Sequence, residues 1–197
     1  MSITTPTASP PATAPTTTVL YTHVDSPIGP LLTSGERFAD GMTITGLYIP
    51  GHDRRPGPDW VRDDGAFDEL RRQLDQYFAG RRRDFDLRAD APGTPFQRRV
   101  WAELRRIDYG RTASYGDVAL AIGAPSASRA VGGANGRNPI SIIVPCHRVV
   151  GSDGRLTGYA GGVTAKSWLL AHERRHLGAD APTDPPFPTR SPLTIDS

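Results

Sequence analysis

Apolar and polar positions along this chain fall into two stretches with different rhythms. In the first, Val19–Val24 alternates weakly and stops at Ser26-Pro27-Ile28-Gly29, a turn signal; Leu31-Leu32 and Met42–Ile49 read as further strands. Phe67, Leu70, Leu74 and Phe78 then recur at helical spacing, with Gly80 as a stop. Residues 51–64, rich in Gly, Pro, Asp and Arg, predict a loop. The stretch predicts a small antiparallel sheet covered by a helix. It offers no constellation of reactive side chains.

The second stretch opens with a strong helix signal. Thr94 can cap, Pro95 suits the first helical position, and Phe96, Val100, Trp101, Leu104 and Ile107 share one face. After Tyr109-Gly110, the run Ser114–Ala119 predicts a short helix ending near Gly123, and Ala124-Pro125 turns into another beginning at Ser126. Two short helices joined by a tight turn resemble a helix-turn-helix. The second of them is lined by Ala127, Ala130, Gly132, Gly133 and Ala134. Such small residues permit close backbone approach, either to another helix or to a DNA groove. Ile142-Ile143-Val144 is β-branched and predicts a buried strand, and Thr164–Leu177 predicts the last helix.

Residues 1–18 are almost entirely Thr, Pro, Ala and Ser, and residues 179–197 are Pro-rich; both are expected to be disordered tails. Between them, an α/β unit over 19–90 and a helical unit over 91–178 are expected. Residues 19–89 carry a net charge of −2 and residues 90–178 a net +6, the charge asymmetry of a nucleic-acid-binding face. No apolar run is long enough to span a membrane and no basic-then-apolar leader opens the chain, so a cytoplasmic protein is expected. The single cysteine, Cys146, excludes an internal disulfide and any multi-thiolate zinc site.

Cys146 lies in Pro145-Cys146-His147-Arg148. An ordinary thiol is only about 3% ionised at pH 7, so a nucleophilic cysteine needs a base. A lone cysteine can equally be inert core. The last helix adds a second signal: Glu173 shares the apolar face of Leu169, Leu170 and Leu177, where a charge needs a partner. His147 is the natural one, which gives a Cys146–His147–Glu173 relay. His172-Glu173-Arg174-Arg175-His176 also matches the zinc-protease pattern, but Glu173, not the histidines, lies on the apolar face, and only tail aspartates could supply a third ligand. That match is read as fortuitous and no metal is expected.

The stretch Asn138–Val150, with Gly158-Tyr159-Ala160-Gly161-Gly162, Lys166 and Glu173 after it and Ser114–Ala119 and Arg129–Ala134 before it, resembles the O6-alkylguanine-DNA alkyltransferases. The likeness is strong over residues 92–177 and weaker before. It implies an α+β fold, with a ribonuclease H-like first unit and a winged-helix-like catalytic unit. It implies a protein that flips O6-alkylguanine, with O4-methylthymine as a further lesion, and takes the alkyl group irreversibly onto Cys146 without a cofactor.

By the same resemblance, His147 acts as base through a water, Glu173 fixes His147, Asn138 braces the cysteine turn and Tyr115 donates to the departing guanine. Val149, Tyr159, Ala160 and Ser141 form the substrate pocket. Tyr115, Gly116, Ala124, Arg129 and Ser152 contact double-stranded DNA through the minor groove, with Arg129 filling the gap left by the flipped base. A monomer is implied, with cooperative loading on DNA left open. Ala160 replaces a serine, and Ser141 a proline, found in some relatives. The alternatives are a lesion-binding protein without transfer, a helix-turn-helix regulator and a cysteine hydrolase.

Overall fold

In a computed structural model of the chain, residues 18–39 and 41–177 are described; the two expected tails lie almost wholly outside them. The first unit is a four-stranded sheet, β1 (Val19–Val24), β2 (Leu31–Phe38), β3 (Gly41–Tyr48) and β4 (Val61–Arg62), in the order β3-β2-β1-β4. β1 and β3 flank β2 antiparallel, whereas β4 joins β1 in parallel, so the sheet is mixed. β4 sits within the stretch expected to be loop. It is two residues long and exposed, and carries no alternation to read. β2 runs well beyond Leu31-Leu32, because residues 31–35 are buried on both faces and alternation is lost there.

Helix α1 (Asp68–Phe78) packs Leu70, Leu74 and Tyr77 into the core, and Gly80, at φ 71°, turns the chain away after it. Gln73 is buried too and ties down the following segment, bonding both the amide and the carbonyl of Asp86 at 2.9 Å.

In the second unit, α2 (Pro95–Leu104) begins with a reciprocal capping box between Thr94 and Gln97. A short strand β5 (Ala113–Ser114) leads into α3 (Tyr115–Ala121), capped in the same way by Ser114 and Asp117. α4 (Ser128–Gly136) follows, starting two residues later than its sequence suggested. β6 (Val149–Val150) pairs in parallel with β5, and α5 (Gly162–Arg175) closes the unit, shifted two residues towards the N-terminus from expectation.

The two units share one continuous core. They also share backbone: along the outer edge of β3, the Leu47 amide donates to Pro139 and the Leu47 carbonyl accepts from Ser141, at 2.8 and 2.9 Å. Farther along that edge, Ile44 exchanges hydrogen bonds with Arg88 and Asp90. The sheet edge that would otherwise lie open is thus closed by the segment leading to the cysteine.

Candidate active site

The expected strand Ile142-Ile143-Val144 is a tight turn instead. Ile142 has φ 70°, in the left-handed region that a β-branched residue rarely enters. Its surroundings impose that conformation. Val144 N donates back to Ile140 O at 2.9 Å, while Asn138 clamps the loop from inside, accepting from Ile140 N at 3.1 Å and donating to Val144 O at 2.8 Å. The chain then enters a one-turn 3₁₀ segment, Cys146–Arg148. A turn, unlike a strand, does not send consecutive side chains to opposite faces, so Cys146 and His147 can serve one site.

Every residue from Ser141 to Val150 is buried. Burial pushes the Cys146 thiol up, against the opposing pull of Asn138, the Lys166 ammonium and Ser141. Burial likewise holds His147 below its ordinary value, although Glu173 pulls it upward. Both groups are therefore neutral at rest. His147 Nε2 lies 2.8 Å from Glu173 Oε1, and its other nitrogen, Nδ1, is buried without a partner. With Nε2 donating to the carboxylate, Nδ1 is the acceptor, free to take a proton.

Glu173 is fully buried and heavily bonded. Arg148 donates to it in a fork, Nε to Oε2 at 3.0 Å and Nη2 to Oε1 at 2.9 Å. Gly110 N reaches Oε2 at 2.9 Å, and Tyr77 Oη, from α1 of the other unit, reaches Oε1 at 2.9 Å. Burial alone would raise the Glu173 pKa, but the charges and hydrogen bonds of His147 and Arg148 outweigh it and hold the carboxyl well below its usual range.

Lys166, the one lysine of the chain, is buried below the site and donates to Val149 O at 2.5 Å and Thr157 O at 2.9 Å. Burial lowers it to about 8. Tyr159 is half-buried with its hydroxyl enclosed and unbonded, and its pKa is raised by burial and by the adjacent Cys146. Tyr115 reaches across to the same loop, its hydroxyl donating to Thr157 O at 3.2 Å. Asn135 Nδ2 donates to Cys146 O at 3.3 Å while its Oδ1 is buried without a partner. Buried polar atoms are nearly always paired in folded proteins. Among the described residues, the unpaired His147 Nδ1, Tyr159 Oη and Asn135 Oδ1 lie at or beside Cys146, while Tyr109 Oη and His52 Nδ1 are unpaired on other segments.

Family comparisons agree with this site. Residues 95–175 match the DNA-binding domain of 6-O-methylguanine DNA methyltransferase, and residues 19–91 match its ribonuclease-like domain. The chain belongs to that family. A methylated-DNA–protein-cysteine methyltransferase of Mycobacterium bovis is 50% identical over 161 residues, covering 81% of this chain and 95% of that protein. One from Methanosarcina acetivorans is 48% identical over 154 residues, covering 78% and 97%. Among solved structures, Mycobacterium tuberculosis OGT in complex with DNA shares 49% identity at a TM-score of 0.73, covering 82% of this chain and 96% of that one.

The methyltransferase scaffold thus brings Cys146, His147, Glu173, Asn138, Ser141, Val149 and Tyr159 together, with Ala160 half-buried on the adjoining loop. Gly116, Arg129 and Ser152 are exposed and Ala124 is half-buried. In the zinc-protease pattern the two histidine rings lie 4.5 Å apart, but His172 bonds the Tyr77 carbonyl and stacks on Trp168, His176 bonds the His172 carbonyl, and Glu173 is turned to His147. Among the described residues no group of His, Cys, Asp and Glu converges as a metal cage. Sequence reasoning gave no role to Arg148, Tyr77, Asn135 or the Gly110 amide. For Arg148 a signal existed: a buried glutamate facing only a neutral histidine would lack a balancing charge.

Proposed function

We propose that the chain repairs alkylated DNA by direct reversal, moving the O6-alkyl group of guanine onto Cys146. The observation that carries this is a lone buried cysteine in a braced turn beside a histidine whose free nitrogen faces away from a charged, saturated carboxylate. His147 Nδ1 takes the thiol proton through a bridging water, and the imidazolium formed is stabilised by Glu173. The thiolate sulfur attacks the alkyl carbon, an S–C bond forms as the C–O6 bond breaks, and the electron pair passes to the guanine ring. Tyr115 donates to that ring as its negative charge develops, and guanine leaves protonated. The thioether has no route to cleavage, so each molecule acts once.

Base extrusion is part of the same reading. α4 presents Gly132, Gly133 and Gly136, at which a methyl group would meet no neighbour closer than 3.1 Å, and Gly136 faces open space. Their smallness is not needed for packing inside the protein, which favours close approach of a minor groove. Exposed Arg129 on the same helix would fill the stack vacated by the lesion. O4-methylthymine as a second lesion, action as a monomer and a cytoplasmic location complete the proposal.

Intact-protein mass after incubation with duplex DNA containing O6-methylguanine tests it, with Cys146→Ser as control. One added methyl on Cys146, absent in the control, is the expected result. Tight lesion binding at unchanged mass would instead point to a lesion sensor.

A further inference from the structure

We propose that Tyr77, from the N-terminal unit, is a positioning residue for alkyl transfer: its hydrogen bond to Glu173 sets how firmly that carboxylate holds His147. The inference rests on the reading of Cys146 as the alkyl acceptor. Tyr77 Oη and His147 Nε2 contact the same oxygen, Glu173 Oε1, at 2.9 and 2.8 Å. Donors that share one oxygen draw on the same negative charge, so each weakens the other's hold.

The ring that carries the hydroxyl cannot swing aside. Tyr77 is completely buried, with Phe78, Phe85, Tyr109 and His172 at ring-centroid distances of 5.3, 5.5, 6.0 and 5.3 Å. Its backbone is held as well, since the Tyr77 carbonyl bonds His172 Nε2 at 2.8 Å. Phenylalanine would fill this apolar slot without a hydroxyl to satisfy, and a buried hydroxyl is costly unless bonded. Among the described residues this hydroxyl has one partner, the carboxylate of the relay.

The other groups facing the relay are fixed in kind. Arg148 comes from the cysteine turn, Lys166 and His172 from α5, and Tyr109 from the segment after α2, with Arg83 over the Tyr109 ring at 5.8 Å. Removing the Tyr77 hydroxyl leaves these in place and returns charge on Oε1 to His147. The imidazole then holds a proton more tightly. Since attack needs neutral His147 as acceptor, the acid limb of the rate moves to higher pH.

The experiment follows alkyl uptake by the full chain from free O6-methylguanine base, by intact mass, from mildly acid to mildly alkaline pH. For Tyr77→Phe the acid limb is expected to rise by about half a unit to one unit, as loss of a hydrogen bond to a charged group implies. The rate at mildly acid pH would fall about threefold to tenfold, while the alkaline rate stays within about twofold. Fluorotyrosine installed at position 77 is a stronger donor and moves the limb the other way. Phe85→Leu loosens the same ring without touching Glu173 and lowers Tm with the limb unmoved. A Tyr77→Phe or fluorotyrosine profile superposing on the parent, or an equal shift from Phe85→Leu, would overturn the proposal. A parent protein that takes no alkyl group at all would overturn the transfer reading itself, and this proposal with it.

Discussion

Both units carry ion pairs at the surface, Arg155–Asp153 in the second among them, but among the described residues only the second buries one. In the N-terminal unit the acids pair with arginines at the surface: Arg37–Asp63, Arg62–Asp64, Arg71–Asp68 and Arg72–Glu69, all with substantially exposed side chains. Such pairs are screened by water, contribute little and are interchangeable with other solvated faces. In the C-terminal unit, Glu173 meets His147 and Arg148 with side-chain exposures of 0, 0 and 7%. Taking these charges out of water gains little stability over an apolar core. Under the proposed transfer, their burial places a carboxylate where it can hold His147 and stabilise its protonated form. Net charge per unit, −2 against +6, says nothing of this difference; the location of each pair says all of it.

The sharpest way to break the contrast is Glu173→Gln. It should cost about 3–5 kcal/mol, because the Arg148 guanidinium is left buried without its counter-charge. Arg72→Gln on the N-terminal unit should leave stability nearly unchanged, because water screens the pair. Urea denaturation of both variants compares them directly, and equal losses would erase the distinction.

Acid titration of the parent sharpens it. Burial holds His147 and His172 below 6.5, and Glu173 lies below 4.5 because His147 and Arg148 outweigh its burial. Each of these groups binds its proton more readily in the unfolded chain. The stability these three groups contribute is therefore full above about pH 6.5, the ordinary histidine value, and is lost as pH falls, first through the histidines and then through Glu173. Tm measured from neutral to acid pH should decline in that order, and a flat profile would contradict the buried relay.

Two substitutions on α4 carry smaller effects. Arg129→Ala should slow transfer from duplex by about tenfold, a modest share of the few kcal/mol that extrusion requires, and leave transfer from the free base unchanged. Gly136→Ala should raise stability by roughly 0.5–1 kcal/mol, since it sits in a helix with open space beside it. If the groove approaches there, the same methyl weakens duplex binding. A gain in both would place DNA elsewhere.

Much of this was readable from residue order. Thr94-Pro95 and Ser114 announced their helices because capping is local chemistry. Glu173 stood out because a charge on an apolar helical face needs an explanation. The turn at Ile142 was not readable. Its β-branched run reads as strand, and only the Asn138 clamp and the pairing with β3 force φ positive. Nor was Tyr77, whose partner lies 96 positions away and which shares its spacing with ordinary core residues.

Lys166 has a practical consequence. With every other basic side chain an arginine or histidine, amine-directed reagents find no lysine on the folded surface. Lys166 becomes reactive only when the loop through Thr157 lets go of its Nζ, and the burial that lowers its pKa to about 8 is lost in the same opening. The speed at which an acylating label reaches that one position, read by mass, therefore clocks how often the pocket comes apart.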